Sequence, residues 1–292
     1  MASTILAPTP PMGWNSWNSF ATTINEEQAL EMAAIMADKL LPSGYDVFTI
    51  DIQWYEPAAS SYNYNAKPVP TMDGFGRVTP ALNRFPSAAN DVGFSVIAEK
   101  VHALGLKFAI HIMRGIPRLA VEQNLPVFGT DVRATDIADT TSICSWNPDM
   151  YGVDMSKPGA QAYYDSIFAL YASWGVDFIK MDDMSRPYDA HAPEIEAAAL
   201  AIRNSGRSMV LSLSPGETPL LPVRTSSSTP RCGASATTSG MNGPCSTPSS
   251  PGWKTGTRGA GPAPGPMPTC CRSAGWRWAT VTRCSRQTSS RR

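Results

Sequence analysis

The most informative absences in this 292-residue sequence lie near its end. From Thr225 to Arg292 the chain has no Asp or Glu, no Leu, Ile, Phe or Tyr and a single Val, but it has nine Lys or Arg side chains. A segment with so few apolar residues cannot bury a hydrophobic core of its own. Its composition therefore predicts that residues 225–292 form a basic, low-complexity and disordered tail.

Cysteine and basic residues are scarce in the rest of the chain. Residues 1–224 contain all 24 acidic side chains against 15 basic ones, which is a net charge of −9. Such a charge gives no general attraction for nucleic acid, so we expect no nucleic-acid partner. Cys144 is the only cysteine before Thr225, and we therefore expect no internal disulfide in this part.

Long hydrophobic runs and nucleotide-binding motifs are also missing. No run of about 18 apolar residues predicts a transmembrane helix. The first residues, MASTILAPTPPMG, lack the basic and apolar regions of a signal peptide, so we expect a cytoplasmic protein with no membrane partner. No glycine-rich phosphate-binding motif follows a predicted strand, and we expect neither a nucleotide cofactor nor a metal.

The first 224 residues contain an alternation of short apolar runs and amphipathic segments. Strands are predicted at 45–51, 107–112, 176–183 and 208–214, and helices at 26–41 (capped by Asn25), 92–104, 159–174 and 194–204. Residues 63–90 and 115–158 are predicted as long loops. The Trp- and Asn-rich segment 10–20 suits a pocket floor better than a helix, but taken alone it favours an aromatic core plug at the start of a domain. The alternation predicts a parallel α/β fold, specifically a (β/α)8 TIM barrel truncated to about five βα units.

Polar or ionisable residues end every predicted strand, most densely in the segment WGVDFIKMDD, Trp174–Asp183. Side chains alternate along a strand, so Lys180 and Asp182 share one face and look into one cavity. Charges at the carboxyl end of a buried strand are costly unless they are paired or used in catalysis. The residue types alone leave two alternatives open: an ordinary Lys–Asp ion pair, and a helix N-cap for Asp183.

Three segments in order resemble the melibiases, the α-galactosidase family of retaining glycoside hydrolases. PPMGWNSWNSF (residues 10–20) resembles the family's opening motif, YDVFTIDIQW (45–54) its second-strand motif, and WGVDFIKMDD its nucleophile strand. The resemblance covers residues 10–217. It implies that residues 1–224 are a partial catalytic TIM-barrel domain that cleaves terminal α-galactosides through an Asp nucleophile, with a small carbohydrate as its partner.

The resemblance also implies a role for individual residues. Asp182 is then the nucleophile, and the substrate-binding residues are Trp17 on the apolar sugar face, Asp51 and Lys180 on the ring hydroxyls, His111 in the place of a pocket Tyr, and Ser214 near the 2-substituent. A satisfied core histidine remains an equal alternative for His111.

Two departures from the family pattern bear on the sugar. Ile52 stands where a second aspartate is expected, and Ser214 is small where relatives admit a bulkier 2-substituent. Alternative activities are therefore those of an α-N-acetylgalactosaminidase, a β-L-arabinopyranosidase or an isomaltodextranase. A non-catalytic carbohydrate-binding protein, with the basic tail as a docking arm, is the alternative from outside the enzymes.

The tail segment encodes a different amino-acid sequence when its codons are read in another frame. Permissible codons for Arg231–Gly243 then spell Met-Trp-Arg-Ile-Ser-Asp-Asp-Phe-Trp-Asp-Glu-Trp, which resembles the family's acid/base segment. The same shift over Pro264–Arg272 spells Trp-Pro-Asp-Ala-Asp-Met-Leu-Pro, another family motif. This predicts a frame change before Arg231, with the acid/base aspartate encoded across Thr237 and Thr238. The chain as given would then lack its acid/base and be inactive.

Overall fold

The computed structural model describes residues 7, 9–60, 62 and 64–218, together with the backbones of two later strands. In chain order the strands are β1 (Gly13–Asn15), β2 (Val47–Ile50), β3 (Lys107–Met113), β4 (Ile116–Pro117), β5 (Ala138–Ile143), β6 (Met150–Val153), β7 (Phe178–Asp182), β8 (Val210–Leu213), β9 (Gly216–Thr218), β10 (Ala234–Thr238) and β11 (Thr280–Val281). The helices are α1 (Trp17–Phe20), α2 (Glu26–Lys39), α3 (Ser95–Ala103), α4 (Arg118–Glu122), α5 (Ala134–Ile137), α6 (Ala160–Ser173) and α7 (Tyr188–Asn204), with 3-10 turns at Leu41–Ser43 and Pro86–Ala88.

The central feature is a five-stranded parallel sheet in the order β1-β2-β3-β7-β8. Within this sheet the strands follow one another in chain order. The crossovers after β1, β2, β3 and β7 contain the helices α2, α3, α6 and α7, respectively. This is the arrangement of consecutive units in a (β/α)8 barrel. The predicted parallel α/β fold with about five βα units is therefore confirmed.

The two faces of the sheet differ in chemistry. One face, with Phe48, Ile110 and Ile179, joins the main hydrophobic core that also buries the helices. The opposite face carries a small apolar cluster of Val47, Ala109 and Phe178 packed against Val210 near the start of the strands, and it becomes polar toward their ends. The polar residues are thus collected at the carboxyl ends of the strands.

The helices follow the predicted pattern with one extension. Asn25 caps α2 as predicted, since its side chain accepts a hydrogen bond from Gln28 N and the Gln28 side chain accepts one from Asn25 N. The last predicted helix, 194–204, begins instead at Tyr188 and contains Pro193. Burial of His191 and Glu194 anchors these additional N-terminal turns.

Two parts of the predicted organisation are wrong. Residues 115–158, predicted as a loop, contain an antiparallel sheet in the order β4-β6-β5 and the short helices α4 and α5. The pattern was missed because β5 is polar and half-exposed and β4 has only two residues. The segment 10–20 is the first parallel strand followed by a helical turn, because its backbone pairs with β2.

Most of the predicted tail lies outside the described residues. Within it the structure describes only β10, which pairs antiparallel with β9, and β11, which pairs with β10. The boundary between residues 224 and 225 therefore stays a prediction. In the described part of the chain, no helix is both long and apolar enough to span a membrane.

Candidate functional site

The carboxyl ends of four neighbouring parallel strands bring five of the six predicted site residues together. Asp51 follows β2, His111 lies in β3, Lys180 and Asp182 end β7, and Ser214 follows β8. The register places His111 directly opposite Lys180 and Met113 opposite Asp182. Residues far apart in sequence therefore meet at the edge of the sheet where parallel α/β enzymes place their catalytic groups.

Asp182 is held through one carboxylate oxygen. Its Oδ2 lies 3.0 Å from His111 Nε2 and 3.5 Å from Lys180 Nζ. Burial raises the pKa of Asp182, but the Lys180 ammonium and the His111 hydrogen bond outweigh it, with a smaller contribution from Ser214, and hold that pKa well below its usual range. The other oxygen, Oδ1, has no hydrogen-bond partner among the described residues. Asp182 is therefore an ionised carboxylate whose Oδ1 is buried and has no hydrogen-bond partner among the described residues.

Asp51 forms the second half of the charged cluster. Its Oδ2 lies 3.0 Å from Lys180 Nζ and accepts a short hydrogen bond from Asn15 Nδ2, while its Oδ1 accepts one from Ile52 N at 2.8 Å. Burial raises the pKa of Asp51, yet the charge of Lys180 and these hydrogen bonds leave it lowered. The main chain is fixed as well, since Asp51 N donates to Ser16 Oγ at 2.9 Å.

Lys180 links the two carboxylates. Burial lowers the pKa of this ammonium, but Asp51 and Asp182 on either side raise it above its ordinary value. The contacts run in a row from Asp51 through Lys180 to Asp182 and His111, with Trp54 Nε1 donating to the His111 carbonyl oxygen at 2.7 Å. The 3.5 Å contact shows that Lys180 and Asp182 lie on the same face of the sheet, whereas the cavity between them stays a prediction.

Aromatic side chains from two loops stand beside this cluster. Trp17 stacks on Tyr64 with ring centroids 6.2 Å apart and planes 16° apart, and Tyr64 in turn contacts Trp146 at 5.7 Å. Burial and the charges of Asp182 and Asp51 raise the pKa of Tyr64. Sequence reasoning predicted Trp17 but missed the other two rings, because they lie in segments without periodic pattern.

Asp149 is a buried carboxylate that the sequence did not reveal. Its oxygens accept hydrogen bonds from Gln53 Nε2 at 3.2 Å and from Tyr55 Oη at 2.6 Å. Burial raises the pKa of Asp149, and these hydrogen bonds offset only part of the increase. Because both oxygens are occupied, Asp149 ties the loop before β6 to the end of β2. The pair Gln53–Trp54 after Asp51 was the one available signal for this link.

Asp183 does not cap a helix, so that alternative is wrong. Helix α7 has Pro187 at its N-cap position, and Asp183 instead pairs with Arg114 at 2.8 Å. Arg114 Nη1 also contacts Glu194 Oε1 at 2.7 Å, and Arg114 N donates to the Asp182 carbonyl oxygen at 3.0 Å. This buried cluster fastens the residue after Asp182 to β3 and α7.

Two further features of the described residues are a cavity and a cysteine thiol. A cavity of about 260 Å³ occupies the opposite end of the strands and is lined by residues that include Val47, Lys107 and Val210. Cys144 is an unpaired, buried thiol, and burial raises its pKa to about 11. In the part of the chain that the structure describes, no group of three or more His, Cys, Asp or Glu could hold a metal ion.

Comparison with solved structures places this arrangement in a known family. Over 74% of this chain and 50% of the other, the fold superposes with a TM-score of 0.71 and 55% identity on a GH27 β-L-arabinopyranosidase from Geobacillus stearothermophilus. A putative α-N-acetylgalactosaminidase from Bacillus halodurans C-125 is 53% identical, with a TM-score of 0.68 over 74% of this chain and 52% of that one. The chain belongs to the melibiase-like α-galactosidase family.

Curated members of the melibiase-like family agree with this assignment at lower identity. An α-galactosidase of Coffea arabica is 28% identical over 209 residues, which are 71% of this chain and 42% of the relative. α-Galactosidase A of Cellvibrio japonicus (strain Ueda107) is 28% identical over 214 residues, 71% of this chain and 38% of the relative. No protein-family model matches the chain. The chain thus spans less than half the length of these two curated relatives.

Proposed function

We propose that this protein is a retaining glycoside hydrolase of the α-galactosidase type with Asp182 as its nucleophile. The observation that carries the proposal is the state of Asp182, whose Oδ2 is fixed by His111 and Lys180 while Oδ1 has no partner among the described residues. A nucleophilic carboxylate needs to be ionised and to present one oxygen to the anomeric carbon. The lowered pKa of Asp182 supports the first requirement, and Oδ1, which has no hydrogen-bond partner among the described residues, is the oxygen proposed to meet the second.

The reaction has two displacements. In the first, Asp182 Oδ1 attacks the anomeric carbon, and the glycosidic C–O bond breaks with its electron pair on the departing oxygen, which takes a proton from a general acid. In the second, water attacks the same carbon, gives its proton to the acid's conjugate base, and Asp182 departs as a carboxylate. Lys180 remains protonated throughout, because Asp51 and Asp182 both stabilise its charge.

The mechanism also requires a general acid that protonates the leaving group. In a retaining enzyme the two carboxyl groups lie about 5–5.5 Å apart. Asp149 does not serve, because both of its oxygens accept hydrogen bonds from Gln53 and Tyr55. We propose that the acid is the aspartate encoded in the other frame across Thr237 and Thr238. The chain as given would then carry out only the first displacement, and only on substrates whose leaving group needs no proton.

The sugar is proposed from the residue next to Asp51. Ile52 is apolar and buried, so it offers no hydrogen bond where the family pattern has a second aspartate. β-L-Arabinopyranose has the ring configuration of α-D-galactopyranose but lacks its hydroxymethyl group, and thus has one hydroxyl fewer to satisfy. Together with the 55% identity to a β-L-arabinopyranosidase, Ile52 favours a β-L-arabinopyranoside over an α-galactoside as substrate.

A glycosyl fluoride tests the proposal on the chain as it exists. Fluoride leaves without a proton, so β-L-arabinopyranosyl fluoride should react with Asp182, form a C1–Oδ1 ester and release one fluoride per chain. Without a base to activate water, we expect the ester to accumulate. Intact mass spectrometry should show one added pentosyl residue, located on Asp182 by peptide mapping. α-D-Galactosyl fluoride, in parallel, should label more slowly.

Asp182→Asn is the matched variant, since it keeps the size of the side chain and removes the nucleophile. Labelling should be lost in this variant. Labelling elsewhere in the chain, or none with either fluoride in the parent chain, would rule out Asp182 as a nucleophile. Sugar binding that survives unchanged in Asp182→Asn, without any labelling of the parent, would favour the carbohydrate-binding protein instead.

A further inference from the structure

Three aromatic side chains, Trp17, Tyr64 and Trp146, lie in contact with one another. We propose that Trp146, supported by Tyr64, is the platform for the group on the far side of the scissile bond, which is the aglycone sugar or an aromatic ring. This inference rests on the proposed function, because it assumes that Asp51, Lys180 and Asp182 hold the sugar that is cleaved.

The order of the aromatic rings carries the inference. Trp17, Tyr64 and Trp146 form a continuous row with centroid distances of 6.2 and 5.7 Å. Tyr64 is the middle ring of this row, and burial and the charges of Asp182 and Asp51 raise the pKa of its hydroxyl. Trp146 is 38% exposed and therefore lies at the outer end. A ligand whose first ring sits at the carboxylates would extend its second ring along this row.

Hydrogen bonds hold the loop that carries Trp146 in place. Asn147 accepts a hydrogen bond from Asp149 N at 2.7 Å, and Asp149 is tied to Gln53 and Tyr55 after β2. The segment is thus fixed to the same strand end that supplies Asp51. The Asn147 amide nitrogen is buried and has no partner among the described residues. An exposed indole on a fixed loop is suited to the apolar face of a sugar or an aryl group.

Binding measurements in the Asp182→Asn background, where the covalent step is blocked, separate the two surfaces. Two probes are used: L-arabinose, which fills only the inner site, and p-nitrophenyl β-L-arabinopyranoside, which also reaches outward. Trp146→Ala should weaken binding of the aryl glycoside roughly two- to tenfold, the range of an aromatic contact, and leave L-arabinose unchanged. Trp146→Phe keeps an aromatic face and should retain most of the affinity.

Phe128→Ala is the control, because Phe128 is also an exposed aromatic (48%) but contacts Phe75 and Arg77 instead. It should change neither affinity. Equal aryl-glycoside affinity in Trp146→Ala and the parent would overturn the proposal, and so would an equal loss for both probes, which would place Trp146 in the inner site. Failure of L-arabinose to bind any variant would refute the proposed function itself, along with the inference that rests on it.

Discussion

At the scale of single residues, Lys180 is the group on which both site carboxylates depend. Its ammonium lies 3.0 Å from Asp51 and 3.5 Å from Asp182. In Lys180→Met the burial of Asp182 remains while its main counter-charge is lost, so the pKa of Asp182 should rise. The rate of labelling by the glycosyl fluoride should then fall at mildly acidic pH, where the parent chain still reacts. The measurement is the pH profile of that rate.

Lys107→Met is the matched control for this prediction. Lys107 also pairs with an aspartate, Asp46 at 2.7 Å, but at the opposite end of the strands and exposed to solvent. Its pH profile should coincide with that of the parent. An unshifted profile in Lys180→Met would show that Lys180 does not set the ionisation of Asp182.

The same pKa shifts predict how stability depends on pH. The pKa values of Asp51 and Asp182 are lower in the folded chain than the value of about 3.9 for an unfolded aspartate. Their contribution to stability is therefore fully present above the unfolded pKa and lost as the pH falls below about 4. Urea unfolding followed between pH 7 and 3 should show this loss, and Lys180→Met should show less of it. An equal loss in both proteins would contradict the assignment.

The sequence predicts the charged residues of the site but not the aromatic and acidic residues Tyr64, Trp146 and Asp149. Lys180, Asp182 and Asp51 could be placed because each ends a recognisable apolar strand, and alternation along the strand fixed which side chains share a face. Tyr64, Trp146 and Asp149 lie in loops, where no periodicity links sequence position to position in space. His111 is not a satisfied core histidine within the described residues, since its Nδ1 has no partner there while its Nε2 contacts Asp182.

At the scale of elements, Arg114 joins three of them. Its guanidinium contacts Asp183 after β7 and Glu194 in α7, and all three side chains are buried. Arg114→Met would leave two carboxyl groups without their cation, and removing one partner of a buried charged cluster costs about 3–5 kcal/mol. We expect a loss of stability in that range by urea unfolding. Lys157→Met, which removes an exposed pair at 3.9 Å, should leave stability nearly unchanged.

Helix α2 offers an independent test at the same scale. Asn25→Ala removes the side-chain acceptor for Gln28 N and should destabilise the protein by about 1 kcal/mol. Asn25→Asp keeps the acceptor and should have little effect. Hydrogen exchange at the first turn of α2 would report the change locally, and equal protection in Asn25→Ala and the parent would contradict the assigned cap.

Elements were predicted well where burial imposes a period and poorly where it does not. The buried β2, β3, β7 and β8 and the helices between them follow their hydrophobic patterns closely. The antiparallel sheet of β4, β5 and β6 was missed because the residues of β5 are half-exposed or exposed. Strand β1 was missed because its three residues gain their conformation from pairing with β2 and not from local preference.

At the scale of the whole molecule, the parallel sheet is an open one. In the described residues β1 and β8 are its two edges, whereas the strands of a (β/α)8 barrel close on each other. Unpaired edge strands favour association with other chains. A frame change would account both for the open sheet and for the composition of residues 225–292. The other reading frame encodes family motifs in the order in which further barrel strands would occur.

Restoring the reading frame is therefore the decisive experiment for the whole molecule. Resequencing the coding DNA from the codon for Ser208 onward comes first, and we expect one base gained or lost before Arg231. The frame-restored protein should turn over p-nitrophenyl β-L-arabinopyranoside, release sugar from the Asp182 ester instead of accumulating it, and lose this turnover in Asp182→Asn. DNA that agrees with the present chain would show that residues 225–292 are encoded as given. The protein would then hold the nucleophile half of a two-carboxylate mechanism, and sugar binding would be the activity left to test.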